Sequence, residues 1–328
     1  MTGTREVSLA FQTDKPLKNY GELARRAEMH GFDAVSVYND LYFQPSWLPL
    51  IEIARATERV RIGPAAVNPF TCHPVHLAGN LALLDEASEG RAYLGVARGA
   101  WLKTLGIEPL NGVQGLREAL LIIRALLRGD RSGVGGDVFS LEEGYGLRWD
   151  VPEREIPFLL GTWGERTLAA CRDLVGEVKV GGTASPEVAE AMLARCGKNG
   201  PGLVVGAVTV VDEDGARARA VARREVALYV PVVASLDPGL ELEPADLQAL
   251  GEVDALDDRD LERLIPDAVL DRVAFAGTPD QVTAQAERLF RVGVSRIEFG
   301  TPHAISKAEG LELLGTSVLP RLREVEAR

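Results

Sequence analysis

The sequence predicts an α/β protein folded as a (β/α)8 barrel, and two features of the chain lead to that fold class. Short β-branched runs alternate with longer segments of helical periodicity, which indicates repeated strand–helix units. The runs are almost wholly apolar, as are parallel strands with both faces buried. A length of 328 residues suits one barrel, so residues 1–328 are expected to form a single domain. An open, doubly wound sheet is the alternative.

Eight runs have the length and composition of buried strands. They span residues 7–11, 34–37, 60–62, 92–96, 156–160, 177–180, 203–211 and 296–299. The intervals after the fourth and seventh runs are too long for one helix and its loops, and predict insertions there. The first insertion contains the glycine-rich stretch 129–150. The second contains residues 235–262, whose ten acidic residues and one basic residue indicate a solvated surface segment or, alternatively, a mobile lid.

Helix signals occupy the segments between these runs. Apolar residues recur at helical spacing over 17–27, 75–84 and 116–127, and glycines at 31 and 90 follow the first two as stops. Ser185 before Pro186 predicts an N-cap followed by proline at the first helical position. Residues 278–281 (TPDQ) predict a capping box.

Composition excludes several classes of function. The chain has 48 acidic and 36 basic residues, a net charge of −12, which argues against nucleic-acid and anionic-membrane binding. Its three cysteines lie far apart, without a CxxC pair or a Cys/His cluster, so neither a disulfide framework nor a bound metal is expected. With no leader-like apolar segment and no run of membrane-spanning length, a cytoplasmic location fits.

Candidate site residues lie where the predicted strands end, because a barrel builds its site at the C-terminal ends of its strands. Glycine follows four of the runs, at Gly63, Gly161, Gly181 and Gly300, and Gly182 doubles the third. Glycine lets a ligand approach the backbone closely, which predicts an anion or a flat ring against these turns. Glycine is also an ordinary turn residue, and no nucleophile-elbow, P-loop or dinucleotide signature accompanies it.

Two charged residues fall within strands that should be buried. Lys179 and Glu298 each lie two residues before a strand-end glycine, on the sixth and eighth predicted strands. Alternate strands share layers of side chains inside a barrel, so the pair is expected to meet across the lumen. Burying one charge alone is costly, which favours a structural ion pair. The functional alternative is that Lys179 helps to hold an anionic cofactor.

A longer set of segments resembles a known family. Residues 62–74 (IGPAAVNPFTCHP) follow the third run. Further matching segments are 94–99 (LGVARG), 105–108 (LGIE), 117–129, 161–164 (GTWG), 177–186 (EVKVGGTASP) and 276–279 (AGTP) with Gly293. Their order and spacing over nearly the whole chain are similar to those of bacterial-luciferase-like barrel proteins, in particular the deazaflavin (coenzyme F-420) methylenetetrahydromethanopterin reductases.

The resemblance implies a barrel, commonly a dimer, that holds a flavin or deazaflavin at its C-terminal face. A cis peptide bond, at Ala65–Ala66 or in the other register at Ala66–Val67, would form a bulge behind the cofactor ring. The implied cofactor-binding residues are Ala65, Ala66, Val67 and Asn68 in the bulge, and Gly161, Thr162, Trp163, Gly164, Gly181, Gly182 and Thr183 near the ribityl and phosphate groups. Lys179 is added from its place in the sixth predicted strand, as a residue that would help to hold an anionic cofactor. Arg98 and Gly99 join them, because their Ala-Arg-Gly run resembles the luciferase run whose arginine meets the flavin phosphate. A surface salt bridge is the alternative for Arg98.

The sequence departs from parts of the family pattern. Sugar-phosphate dehydrogenases of the family have an Asp-His pair after strand two, whereas residues 39–41 here read Asn-Asp-Leu. Ala100 replaces their catalytic glutamate, and Ala97 replaces the luciferase cysteine. Asp40 and His303, after the second and eighth predicted strands, are therefore the acid–base candidates. The alternatives are a helix cap for Asp40 and a plain loop residue for His303.

The preferred function is an oxidoreductase that transfers a hydride between coenzyme F-420 and a small organic substrate. The first alternative is an FMN-dependent monooxygenase supplied with reduced flavin by a separate reductase, and Arg98 favours it. The second alternative is a flavin- or deazaflavin-binding barrel without turnover, which the missing catalytic histidine and glutamate permit. A homodimer is expected from the resemblance.

Overall fold

The computed structural model of the chain describes residues 5–151, 154–305 and 307–326. Within these ranges nine parallel strands form one sheet: β1 (Glu6–Phe11), β2 (Ala34–Val37), β3 (Arg61–Pro64), β4 (Leu94–Ala97), β5 (Phe158–Gly161), β6 (Glu177–Gly181), β7 (Gly202–Val211), β8 (Ala274–Gly277) and β9 (Arg296–His303). Their order is β3-β2-β1-β9-β7-β6-β5-β4. Two isolated bridges, Ile62 to Ala92 and Val67 to Val96, join the third strand to the segment of the fourth. The expected (β/α)8 barrel is confirmed, with β8 outside the ring.

The extra strand β8 is a correction to the sequence-based prediction, which contains the other eight strands. Its four residues, AFAG, include no β-branched side chain and directly precede the capping box, so Phe275 is their only strand signal. β8 pairs with β7 from Val208 to Val211. The last residue of β7 that pairs with β6 is Gly206. β8 therefore pairs with the same edge of β7 as β6 does, over the residues that follow Gly206.

Helices cover the outside of the barrel. They are α1 (Lys18–His30), α2 (Trp47–Ala56), α3 (Pro74–Ala87), α4 (Gly112–Leu127), α5 (Glu165–Cys171), α6 (Pro186–Cys196), α7 (Gly215–Val226), α8 (Val230–Ala234), α9 (Pro244–Leu250), α10 (Asp258–Leu264), α11 (Asp267–Val273), α12 (Pro279–Val292), α13 (Lys307–Leu313) and α14 (Leu319–Glu326). Gly31 ends α1 with a φ of 90°. The hydroxyl of Ser185 caps α6, and Thr278 with Gln281 forms the expected capping box of α12. No helix of the described ranges is long and apolar enough to cross a bilayer.

Both predicted insertions are present. After β4, α4 leads into a loop that a bridge between Val134 and Leu141 folds back on itself. After β7, helices α7–α11 bury a second hydrophobic core that contains Leu261 and Leu264. Asp237, which is 2% exposed, accepts a bidentate pair of hydrogen bonds from Arg272 at 3.1 and 3.0 Å. The acidic segment is therefore packed on its inner face, and its role as a lid stays a prediction.

The two faces of the barrel strands bury different chemistry. On β9, Ile297 and Phe299 face the helices and belong to the main hydrophobic core. Arg296 and Glu298 alternate with them and lie in the lumen, where both are fully buried. Barrel interiors are ordinarily filled by branched apolar side chains. Buried charges in the lumen are therefore unusual, and they indicate a functional site in the barrel interior.

Candidate active site

A cleft of about 670 Å³ opens at the C-terminal ends of the strands. Its walls combine backbone at glycine and alanine positions with a few polar side chains. The lining residues are Gln12, Asp14, Tyr38, Asp40, Phe43, Ala65, Ala66, Leu159, Gly161, Thr162, Trp163, Lys179, Gly181, Gly182, Gly206, Ala207, Val208, Glu225, Tyr229, Thr301 and Pro302. A mostly apolar cleft with convergent polar groups is the usual form of a cofactor or substrate site.

Glycines keep the floor of this cleft open. A Cβ at Gly206 would lie 3.2 Å from Cε of Lys179 and 3.4 Å from Cβ of Glu298. A Cβ at Gly300 would lie 2.7 Å from the hydroxyl oxygen of Tyr38. Larger residues at these two positions would displace the polar side chains that form the floor. The glycines thus make room both for those side chains and for a ligand above them.

The segment after β3 contributes one wall. The Ala65–Ala66 peptide bond is cis, in the first of the two expected registers, and both alanines line the cleft. Val67 and Asn68 do not. Val67 is buried, with its N–H donated to the Gly95 carbonyl at 3.0 Å, and the Asn68 side chain accepts two loop N–H groups at 3.0 Å each. These two residues lie outside the cleft lining, and their expected contact with a cofactor stays a prediction.

The loops after β5 and β6 form the opposite wall. Trp163 donates its indole N–H to the Gly181 carbonyl at 3.0 Å, which ties the two loops together. Gly164 lies outside the lining and precedes α5. Thr183 is also outside it, because its buried hydroxyl donates to the Arg272 carbonyl at 3.1 Å. Both loops singled out in the sequence therefore border the cleft, whereas Gly164 and Thr183 do not line it.

The expected pair across the lumen is present. The Lys179 ammonium donates to one carboxylate oxygen of Glu298, and the Ser36 hydroxyl donates to the other. The Ser36 and Tyr93 hydroxyl oxygens lie 2.6 Å apart. Deeper in the barrel, Arg296 donates to Glu177 at 2.9 Å and lies over the Tyr93 ring. The lumen thus contains a connected polar network that reaches the cleft at Lys179.

The charges of this network decide the protonation of its members. Burial acts to raise the pKa of Glu298, but the charges of Lys179 and Arg296 and two hydrogen bonds outweigh it, so the pKa lies below its ordinary value. Burial also raises the pKa of Tyr38 well above its usual range, and the nearby carboxylates of Glu298 and Asp40 raise it further. At neutral pH the floor therefore presents a carboxylate at Glu298 and an un-ionised phenol at Tyr38.

Carboxylates lie nearer the mouth of the cleft. Asp40 accepts a hydrogen bond from the Gln12 amide at 3.1 Å, and it does not cap α2, whose N-cap is Ser46. Burial raises the pKa of Tyr229, and the negative charges of Asp40 and Glu225 contribute to the shift. Asp40 is thus the titratable group that reaches the cleft from the expected position after β2.

His303 is not at the cleft, contrary to the sequence-based expectation. Its backbone has a left-handed φ of 75°, and its ring packs edge-on against Phe11. Its Nε2 lies 3.2 Å from the Phe299 carbonyl oxygen, and it lines a separate cavity of about 30 Å³. Thr301 and Pro302, just before it, line the cleft instead. Of the two acid–base candidates, Asp40 lines the cleft and His303 does not, and the catalytic role of each stays a prediction.

Arg98 and Gly99 also lie outside the cleft and line a second depression of about 880 Å³. This depression borders the segment after β4 and the first turn of α4. It carries three basic side chains, Arg98, Lys103 and Arg166, against one carboxylate, Glu108. In the part of the chain that the structure describes, none of the three cations has an ion-pair partner, so the alternative of a surface salt bridge for Arg98 is not seen.

Comparison with known proteins places this geometry in a family. A sequence profile of luciferase-like monooxygenases matches residues 3–296. The chain belongs to this family. It is 26% identical to a 5,10-methylenetetrahydromethanopterin reductase of Methanolobus tindarius, over 95% of this chain and 98% of that one.

Solved structures share the fold. The coenzyme F-420-dependent tetrahydromethanopterin reductase from Methanopyrus kandleri superposes with a TM-score of 0.83, at 21% identity, over 97% of this chain and 99% of that one. A monooxygenase from Streptomyces bottropensis superposes with a TM-score of 0.72, also at 21% identity, over 96% and 99%. At these identities the likeness shows the fold alone.

The cleft is also lined by residues that the sequence did not single out. Gly206, Ala207 and Val208 lie within β7 rather than at its end, so a search of strand ends passes over them. Glu225 and Tyr229 come from α7 and the turn after it, and no local pattern indicates that this turn folds over the cleft. Among the residues that the structure describes, no group of three His, Cys, Asp or Glu side chains is arranged to hold a metal ion.

Proposed function

We propose that this luciferase-like protein is an oxidoreductase that transfers a hydride between coenzyme F-420 and a small organic substrate. The observation that carries the proposal is the cleft at the C-terminal face, whose walls are backbone at Ala65, Ala66, Gly161, Gly181 and Gly182. Such walls suit a flat ring, because the backbone can lie directly against it. The name of the Methanopyrus kandleri structure, an F-420-dependent reductase, supports the same cofactor.

The residues present fit such a cofactor. A deazaflavin supplies the hydride chemistry, and the protein supplies position and electrostatics. The cleft would hold the ring, with Trp163 beside it and Lys179 beneath it. The second depression would hold the phosphate and the rest of the anionic chain, where Arg98 offers a forked guanidinium and Lys103 and Arg166 add positive charge. Asp40 would exchange a proton with the substrate, since its carboxylate is exposed at the mouth.

An FMN-dependent monooxygenase remains the second candidate. The Arg98–Gly99 run favours it, because this arginine lines the basic depression that also contains Lys103 and Arg166. A separate reductase would then supply reduced flavin. A third class, a cofactor-binding barrel without turnover, is favoured if bound cofactor oxidises no electron donor and reduces no acceptor.

We also propose that the protein is a cytoplasmic homodimer. The apolar side chains of Leu48 on α2 and Leu83 on α3 are 66% and 51% exposed, on helices that pack against each other. The three cysteines are all free thiols, which suits a reducing compartment. Light scattering after size-exclusion chromatography tests the dimer: a single monomeric mass at micromolar concentration would contradict it.

Titration with oxidised F-420 and with FMN, followed by fluorescence quenching, tests the cofactor. We expect F-420 to bind and FMN to bind at least tenfold more weakly. Gly206→Val should abolish binding, because its side chain would crowd Lys179 and fill the floor, whereas Gly176→Ala, where a Cβ meets nothing within 4 Å, should bind as the wild type does. Binding of FMN alone selects the monooxygenase, and binding of neither cofactor contradicts the proposal.

A further inference from the structure

Lys179 is held in the lumen with its ammonium group at the floor of the cleft. Its side chain is 11% exposed, and it is the one cationic side chain among the described residues that line the cleft. An ammonium ion has three N–H donors. One goes to Glu298, and no other residue of the described ranges accepts a hydrogen bond from it. Two donors are therefore left for a ligand in the cleft.

The surrounding residues hold this ammonium group in one position. Glu298, which is 1% exposed, holds it from below, and Glu298 is itself held by Ser36. The Tyr38 ring lies with its centroid 5.4 Å from the Lys179 nitrogen on another side. Gly206, on the neighbouring strand β7, leaves space for the aliphatic part of the Lys179 side chain. A Cβ at Gly206 would lie 3.2 Å from Cε of Lys179. The donors are thus pre-oriented before any ligand arrives.

The ion pair is not needed to fill the barrel. A buried ion pair is often no more stable than apolar residues of similar volume, and barrel lumens are ordinarily packed with such residues. The carboxylates of Asp40 and Glu225 at the mouth are acceptors and would repel an anion. Lys179 is therefore the group in this cleft that suits a ligand atom with a carbonyl oxygen or a negative charge.

We propose that Lys179 donates to the carbonyl edge of the bound cofactor ring and makes the cleft bind the reduced cofactor more tightly than the oxidised one. This inference rests on the proposed function. A ring reduced by hydride transfer would carry two more electrons than the oxidised ring and, without a further proton, a negative charge at its carbonyl edge. The Lys179 ammonium would stabilise that charge, which the oxidised ring would lack. An ammonium ion in a low-dielectric cleft consequently favours the reduced state.

The test compares dissociation constants of oxidised and of reduced F-420, measured anaerobically. The double variant Lys179→Met with Glu298→Gln removes both charges and leaves no buried charge unpaired. We expect its affinity for the reduced cofactor to fall at least tenfold more than its affinity for the oxidised one. A tenfold fall in the ratio of reduced-cofactor affinity to oxidised-cofactor affinity lowers the midpoint potential of the bound two-electron couple by about 30 mV. Lys179→Arg keeps the charge and should keep the ratio within threefold of the wild type.

Lys179→Gln is the second variant, and it keeps a donor toward Glu298 while losing the charge. It should lose reduced-state affinity as the double variant does. Equal losses in both redox states, or no loss in either, would overturn the role of Lys179 and leave the proposed function intact. If the wild type binds neither F-420 nor FMN, the proposed function fails and this inference fails with it.

Discussion

Along β9 the side chains that face the helices and those that face the lumen obey different constraints. Ile297 and Phe299 belong to the main hydrophobic core, in contact with the helices. Arg296 and Glu298 lie between them in sequence, are as completely buried, and each forms an ion pair. Buried apolar contact stabilises the helix-facing side chains, whereas each charged side chain in the lumen needs a partner of opposite charge. A residue's depth alone therefore does not indicate which change it tolerates.

A large loss of stability is expected when volume is removed from the helix-facing side. Phe299→Ala should lower the free energy of unfolding by about 3–5 kcal/mol, since it leaves a cavity beside Phe275, whose ring lies 5.2 Å away. Urea denaturation followed by circular dichroism measures this loss. The native fraction should still bind cofactor, because neither ring lines the cleft. A loss below about 1 kcal/mol would contradict a tightly packed outer face.

The lumen side should respond to the partner rather than to the volume. Glu298→Ala strands the Lys179 ammonium ion next to Arg296 and should cost about 3–5 kcal/mol. Replacing both members of the pair by methionine should cost far less, within about 1–2 kcal/mol of the wild type. The same denaturation experiment decides between them. If the double methionine variant is as unstable as Glu298→Ala, loss of volume and not loss of the partner charge determines stability in the lumen.

The pH dependence sharpens the same distinction. The pKa of Glu298 is lower in the folded protein than its ordinary value of 4.5. Its ionisation therefore stabilises the fold above that ordinary value, and this contribution is lost as the pH falls through the lower, folded-state pKa. Stability curves from pH 7 to pH 3 should show a steeper acid loss for the wild type than for Glu298→Gln. Parallel curves would mean that another carboxylate dominates.

A smaller effect is expected in the second depression. Arg98→Ala should weaken F-420 binding about tenfold, as for one charged hydrogen bond at an exposed site, and the remaining affinity should depend less on salt. Lys198→Ala, in an exposed turn after α6 at the other end of the barrel, is the matched control. Equal, unchanged affinity in both variants would remove Arg98 from the cofactor site.

The smallest effect on cofactor binding is expected at His303. His303→Asn should leave cofactor affinity within about twofold, because the side chain does not line the cleft. Asparagine tolerates the left-handed φ of 75°, but loss of the buried ring and its contact with Phe11 should cost about 1–2 kcal/mol of stability. Turnover measurements on the native fraction of the same variant complete the test, and loss of turnover with unchanged cofactor affinity would support the catalytic role that the sequence suggested.

Sequence reasoning was most successful where periodicity or a single local rule decides the structure. The capping box at Thr278 and the apolar runs of eight strands follow from neighbouring residues alone. The pairing of Lys179 with Glu298 followed from their equal distance to strand-end glycines, which places both in one layer. Ala65–Ala66 came from the family resemblance, and the structure has that bond in the cis form.

The failures share a different cause, since each depends on long-range placement. β8 is a strand because β7 offers it a free edge, not because its residues favour extended structure. Tyr229 reaches the cleft because the second insertion folds back over the barrel. His303 leaves the cleft because its left-handed backbone and its contact with Phe11 turn the ring away. Such placements have no counterpart in local sequence.

One edge of β7 pairs first with β6 and then with β8, and this arrangement brings the two ends of the second insertion together. The chain leaves β7 at Val211 and, after α7–α11, returns as β8 opposite Val208, only three residues back along the same strand. The intervening 212–273 segment is thus a cassette with neighbouring ends. Exchange of this cassette between relatives would alter Glu225 and Tyr229 above the cleft. The floor at Lys179 would be inherited unchanged, so the upper wall of the cleft could vary while its floor stayed the same.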